Sequence, residues 1–70
     1  MSQDLRTRLA INVKTLREKA GLKREALGLL LDFDNSYISK LEKNKVNITL
    51  DKIEKIANFF EVDIIDLFGN

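Results

Sequence analysis

Apolar positions fall at three- and four-residue steps along most of the chain, and nowhere do they alternate over a useful length. That spacing predicts helices and no strands. Leu5, Leu9, Val13, Leu16 and Ala20 form one stripe, so a first helix is expected from about residue 2 or 4 to residue 20. Gly21, which tolerates a left-handed backbone, closes it. A second helix is expected over about 23–31, with Leu27 and Leu31 facing inward. Residues 32–34 read as a tight joint. Asp34 stands where it can cap a third helix running to about residue 43, and Asn44 can take the left-handed position beyond it. Residues 45–48 read as loop. Thr49 caps a fourth helix with Leu50, Ile53, Ile56, Ala57 and Phe60 inside, and Asp63 caps a short fifth with Ile64, Leu67 and Phe68. The expected fold is all-α, a compact five-helix bundle, with residues 1–70 as a single domain.

The second and third helices are joined by only a few residues. Two helices that cross steeply on so short a joint need a small residue at the crossing, a residue able to bend the chain, and a branched apolar residue to lock them. Gly28, Asp32 and Ile38 meet those needs in order, which is the geometric requirement of a helix-turn-helix. The third helix is also two-faced. Ile38 and Leu41 point one way; Asn35, Ser36, Ser39 and Lys40 point the other. An ordinary solvated face and a face that reads a partner both fit that pattern.

Composition narrows the choice. The 70 residues contain no cysteine and no histidine, which removes disulfides, thiolate chemistry, and the commonest general base and metal ligand. The carboxylates stand at capping positions or on acidic helix faces, and there is no glycine-rich phosphate loop, so an enzyme, a metal site and a cofactor are not expected. No apolar run approaches a membrane span or a signal peptide, and a small chain without staples points to a reducing cytoplasm. Net charge is +1, but it is polarised. Residues 1–25 carry seven basic and three acidic side chains; residues 46–70 carry two and five. Such a chain can turn a basic side toward a polyanion, although charged helix faces that simply meet water give the same count.

The run "LREKAGLKREALGLLLDFDNSYISKLEKNKVNITLDKIEKIANFFEVDIIDLF", above all "SYISKLE" followed by a basic loop and the later "KIA" and "DLF", resembles the lambda-repressor-like, or Cro/XRE-type, helix-turn-helix family. The likeness runs without a gap over most of the chain. It resembles the stand-alone members of that family: small repressors and the controller proteins of restriction–modification systems. The resemblance implies a bacterial or phage-encoded, cytoplasmic, nucleoid-associated regulator of transcription. It also implies double-stranded DNA as partner, the third helix in the major groove, and an influence on RNA polymerase by position beside a promoter.

On that footing Asn35, Ser36 and Lys40 are candidate base readers. An amide pairs with adenine, a hydroxyl serves several bases, and lysine suits the acceptors of guanine. Candidate backbone contacts are Lys23, Arg24, Tyr37, Ser39, Lys43, Lys45 and Asn47. Tyr37 could equally pack its ring at the domain edge and expose only its hydroxyl. Lys23 and Arg24 stand where the family usually has a hydroxyl cap and a glutamine. Asp34 and Asp32 stand where it usually has a hydroxyl cap and a glycine. The family also implies an ion pair between Arg17 and Glu42 that holds the third helix in place.

Phe59 and Ile65 are apolar where the pattern usually has small or polar residues. With Phe68 they are expected to form an exposed patch that pairs two copies on a pseudo-palindromic site. Ile11, Leu29 and Leu30 also stand at outer positions. The alternative reading is an antitoxin-like or other protein-interaction module, held through Leu29 and Leu30 or the C-terminal patch, with secondary DNA binding.

Overall fold

The computed structural model describes the backbone of residues 2–69 and the side chains of residues 5–69; Met1 and Asn70, the ends of the expected domain, lie outside them. Five helices follow one another in the described residues: α1 (Ser2–Lys19), α2 (Arg24–Leu31), α3 (Tyr37–Glu42), α4 (Leu50–Phe60) and α5 (Ile64–Leu67). The helix-turn-helix is α2 and α3. One core joins all five, built from Leu9 and Val13, Leu27 and Leu31, Ile38 and Leu41, Ile53, Ile56 and Ala57, and Leu67. Leu27 and Ile56 are fully enclosed. Truncating either to alanine removes about 2–5 kcal/mol, a large share of what a small domain has.

Four helix ends share one device. After each, a residue in the left-handed region turns the chain, at Gly21, Asp32, Asn44 and Glu61. In each case its amide bonds back to the carbonyl three residues earlier, and the next amide bonds to the carbonyl five residues before it. The pairs are Gly21 to Glu18 and Leu22 to Arg17, Asp32 to Leu29 and Phe33 to Gly28, Asn44 to Leu41 and Lys45 to Lys40, and Glu61 to Asn58 and Val62 to Ala57. This pairing satisfies carbonyls that the helix ladder leaves open. Leu22, Phe33 and Val62, each just past the left-handed residue, then fold onto the core. Val46 and Ile48, in the stretch expected to be plain loop, pack there too.

Several inward assignments are corrected. Leu50 is 75% exposed because it opens α4, one turn before Ile53 reaches the core. Leu5 and Ala20 are exposed as well. Leu5 lies one turn before Leu9, where the buried stripe of α1 begins, and Ala20 lies about one turn past Arg17, where it ends. Ile64 opens α5 and is 37% exposed, so it is only partly inward. Ala10 and Arg17, by contrast, are buried. The third helix is shorter than expected. It begins at Tyr37 with Ser36 at its cap position, and no side chain makes the capping bond. Asp34 contributes its backbone carbonyl instead, accepting from the Tyr37 amide at 3.0 Å, which tightens the entry turn. Thr49 does cap α4, its hydroxyl accepting from the Lys52 amide at 3.2 Å.

The crossing of α2 and α3 at Gly28 is close but not closed. A Cβ there would sit 3.7 Å from the Asp34 carbonyl oxygen and 3.9 Å from Ile38 Cγ1, ordinary contact distances. The crossing therefore admits a methyl group, and the need for a small residue extends to alanine.

Candidate nucleic-acid interface

Ile38 and Leu41 are buried beneath α3. Periodicity then turns the opposite side outward, and Lys40 is exposed on it. Asn35 and Ser36 are exposed in the turn just before the helix. The three candidate base readers thus occupy a run of six residues at the amino end of α3. Ser39 is half-buried. Lys43, Lys45 and Asn47 are exposed along the exit from α3, and Lys23 and Arg24 are exposed at the start of α2. Lys23 is the cap residue of α2 and makes no side-chain cap bond, so that helix starts at Arg24 with bare amides. A helix amino end flanked by two cations is a suitable seat for a phosphate.

The frame under this surface is an ion pair. Arg17 Nε donates to Glu42 Oε2 at 2.6 Å and Nη2 to Oε1 at 3.2 Å, a two-pronged contact between α1 and the last residue of α3. Arg17 Nη1 donates to the Leu22 carbonyl at 2.8 Å. The Arg17 side chain is 10% exposed and that of Glu42 is 4%. The hydrogen-bonded Glu42 carboxylate holds the Arg17 guanidinium above its ordinary pKa, against a smaller opposing effect of burial. The pair ties α3 to α1 and leaves neither group for DNA.

Tyr37 stands differently from either reading of it. Its ring packs edge-on against Phe33, centroids 5.1 Å apart. Its hydroxyl is buried and makes no hydrogen bond. Loss of solvent pushes the phenol up from its ordinary pKa. In this conformation the hydroxyl does not reach the surface, because the turn that opens α3 folds the ring inward beside Phe33. The Lys52 ammonium lies 4.2 Å from the Tyr37 ring centroid.

At the far end of the molecule Ile65 is 80% exposed and Phe59 38%. Phe59 meets Phe60 edge-on with centroids 5.0 Å apart. Phe68 is half-buried against the core, so less of it is exposed than of Ile65. Asn12 of α1 holds this end in place: its amide donates to the carbonyls of Leu67 and Gly69, each at 2.8 Å. Reading the sequence passed over Asn12, Phe33 and the two α4 lysines near it. Their contacts with one another and with the rest of the core reach across 15 to 57 positions, for which periodicity carries no signal.

Residues 13–67 match a family model described as Helix-turn-helix. The chain belongs to the Cro/XRE-type helix-turn-helix family. It is 32% identical over 68 residues to Control protein C.MunI of a Mycoplasma species, covering 96% of this chain and 92% of that one. It is also 32% identical over 68 residues to Control protein C.BamHI of Bacillus amyloliquefaciens, covering 96% and 84%. A solved structure of the hypothetical transcription factor NHTF from Neisseria superimposes with a TM-score of 0.89 at 35% identity, over 99% of this chain and 79% of that one. Family members of this kind are DNA-binding regulators of transcription, not enzymes, and this member binds double-stranded DNA. No helix among the described residues is long and apolar enough to cross a membrane.

Proposed function

We propose that the chain is a sequence-specific regulator acting as one domain over residues 1–70, which binds a pseudo-palindromic operator as a homodimer with α3 in the major groove. The observation that carries this reading is the exposure of Asn35, Ser36 and Lys40 directly over a buried Ile38 and Leu41. A rigid floor beneath a polar edge can hold hydrogen-bonding groups at the fixed geometry that base recognition requires. Lys23, Arg24, Lys43, Lys45, Ser39 and Asn47 supply contacts to the phosphates and set register and salt dependence. Phe59 and Ile65, with the edge of Phe68, form the two-fold contact, placing the two α3 helices about 34 Å apart on successive major grooves. A dimer at a promoter acts on RNA polymerase by its position, in the bacterial cytoplasm at the nucleoid. Two relatives carrying the name control protein support a controller of a restriction–modification system within this class.

Selection of purified protein on random duplex DNA tests the reading. A retained palindrome with half-sites one helical turn apart is expected. Ile65→Asp should leave helix content intact while sedimentation shows a monomer and operator binding weakens. Retention without a motif, lost as salt rises, would refute sequence-specific regulation. One observation favours a second reading, a protein-interaction module of antitoxin type with secondary DNA binding: Leu29 is 81% and Leu30 59% exposed on α2. Loss of a protein complex on Leu29→Ser, with DNA selection unchanged, would favour it.

A further inference from the structure

We propose that Lys52 and Lys55, on α4 and outside the helix-turn-helix, are positioning residues that hold the entry of α3 in its DNA-reading geometry without touching DNA. Lys55 Nζ donates to the carbonyl oxygen of Leu31 at 2.7 Å. Leu31 is the last residue of α2, where unpaired carbonyls gather negative partial charge, so an ammonium there fixes the helix end. Lys52 Nζ lies 4.2 Å from the Tyr37 ring centroid and 5.4 Å from that of Phe33, and Lys55 Nζ lies 5.6 Å from Phe33. Phe33 sits in the joint and Tyr37 is the first residue of α3. Two ammonium groups of one helix therefore grip the end of α2, the joint and the start of α3. Asn35 and Ser36 lie between the two gripped rings in sequence.

A cation facing an aromatic ring is attracted by the ring's charge distribution, and both lysines give up part of their freedom to stay there. The alternatives are lysines that contact phosphate and lysines that merely face water. The three roles differ in what they leave behind on substitution. A phosphate contact contributes to the salt dependence of binding, by about one unit in the slope of log affinity against log salt. A positioning group contributes to affinity and leaves the slope alone. A solvated lysine contributes to neither.

The inference rests on α3 as the reading element, so Lys40→Ala is included as a control that loses operator affinity only if α3 reads DNA. Lys52→Met, Lys55→Met and Lys52→Arg are compared with the natural protein on its selected operator across a salt series, at a temperature where all remain folded. The expected result is a loss of about two- to fivefold for each methionine variant with the salt slope unchanged, and near-full affinity for Lys52→Arg, whose guanidinium still faces the ring. Tyr37 is the one tyrosine in a chain without tryptophan, so the tyrosine near-ultraviolet signal comes from this one ring and its surroundings. Lys52→Met should change that signal. A salt slope lowered by about one in either methionine variant overturns the proposal in favour of phosphate contact. Unchanged affinity and an unchanged tyrosine signal overturn it in favour of a solvated lysine.

Discussion

Removing one partner of the Arg17–Glu42 pair tests the frame on which α3 rests. Arg17→Met leaves the Glu42 carboxylate, whose side chain is 4% exposed, without its cation. Glu42→Gln leaves the guanidinium, but Arg17 keeps the Leu22 carbonyl at 2.8 Å, and the solvent-exposed Glu18 carboxylate stands 3.8 Å away. An unpaired buried charge costs about 3–5 kcal/mol. The structure places Arg17→Met at the upper end of that range and Glu42→Gln at the lower end. For 70 residues the whole stability is on the order of 4–10 kcal/mol. Either variant therefore brings the domain close to its unfolding threshold.

Replacing both with apolar residues, Arg17→Met with Glu42→Leu, removes the stranded charge. It should return the protein to within about 2 kcal/mol of the natural chain. Urea unfolding followed by far-ultraviolet circular dichroism measures all the variants, and the double-mutant cycle isolates the coupling. Single losses under about 1 kcal/mol that simply add would refute the reasoning, because they describe an ion pair screened by water.

Three further outcomes are expected. Glu61 holds a left-handed backbone with φ near 57°, where glycine is unstrained, so Glu61→Gly should raise the unfolding free energy from urea titration by about 1 kcal/mol and Gly21→Ala, at φ 72°, should lower it by a similar amount. Gly28→Ala, in a crossing with room for a methyl, should stabilise by about 1 kcal/mol through helix propensity; a loss would show the crossing to be tighter than its distances. The buried Tyr37 phenol has a folded pKa above the ordinary value of about 10, so the unfolded chain ionises first as pH rises. Its contribution is fully present below that value and is lost as pH climbs through the folded pKa. Absorbance at high pH should show the late ionisation, and Tyr37→Phe, which removes an unpartnered hydroxyl, should leave stability level or raise it by about 1 kcal/mol while weakening this alkaline loss.

Helix existence was legible in the chain because a buried stripe has to recur at 3.6-residue steps, and Leu9, Val13, Leu27, Ile38 and Ile56 do so. Gly21 and Asn44 were legible as left-handed turns by residue type. Asp32 was legible as the residue able to bend the joint, whereas Glu61 adopts the same backbone against its type, the Val62 packing that follows it offsetting the strain. Resemblance to a family supplied the pairing of Arg17 with Glu42; no periodicity brings residues 25 positions apart together.

The sequence by itself determined the all-helical architecture, the position of the helix-turn-helix, and which polar side chains lie opposite Ile38 and Leu41. Those features depend on neighbours within a turn or two. The tertiary structure alone decided that the Tyr37 hydroxyl turns inward, that Phe68 packs partly against the core, and that two lysines of α4 close over the entry to α3. Each of these depends on where distant helices meet, and contact across a core is set by packing geometry rather than by spacing along the chain.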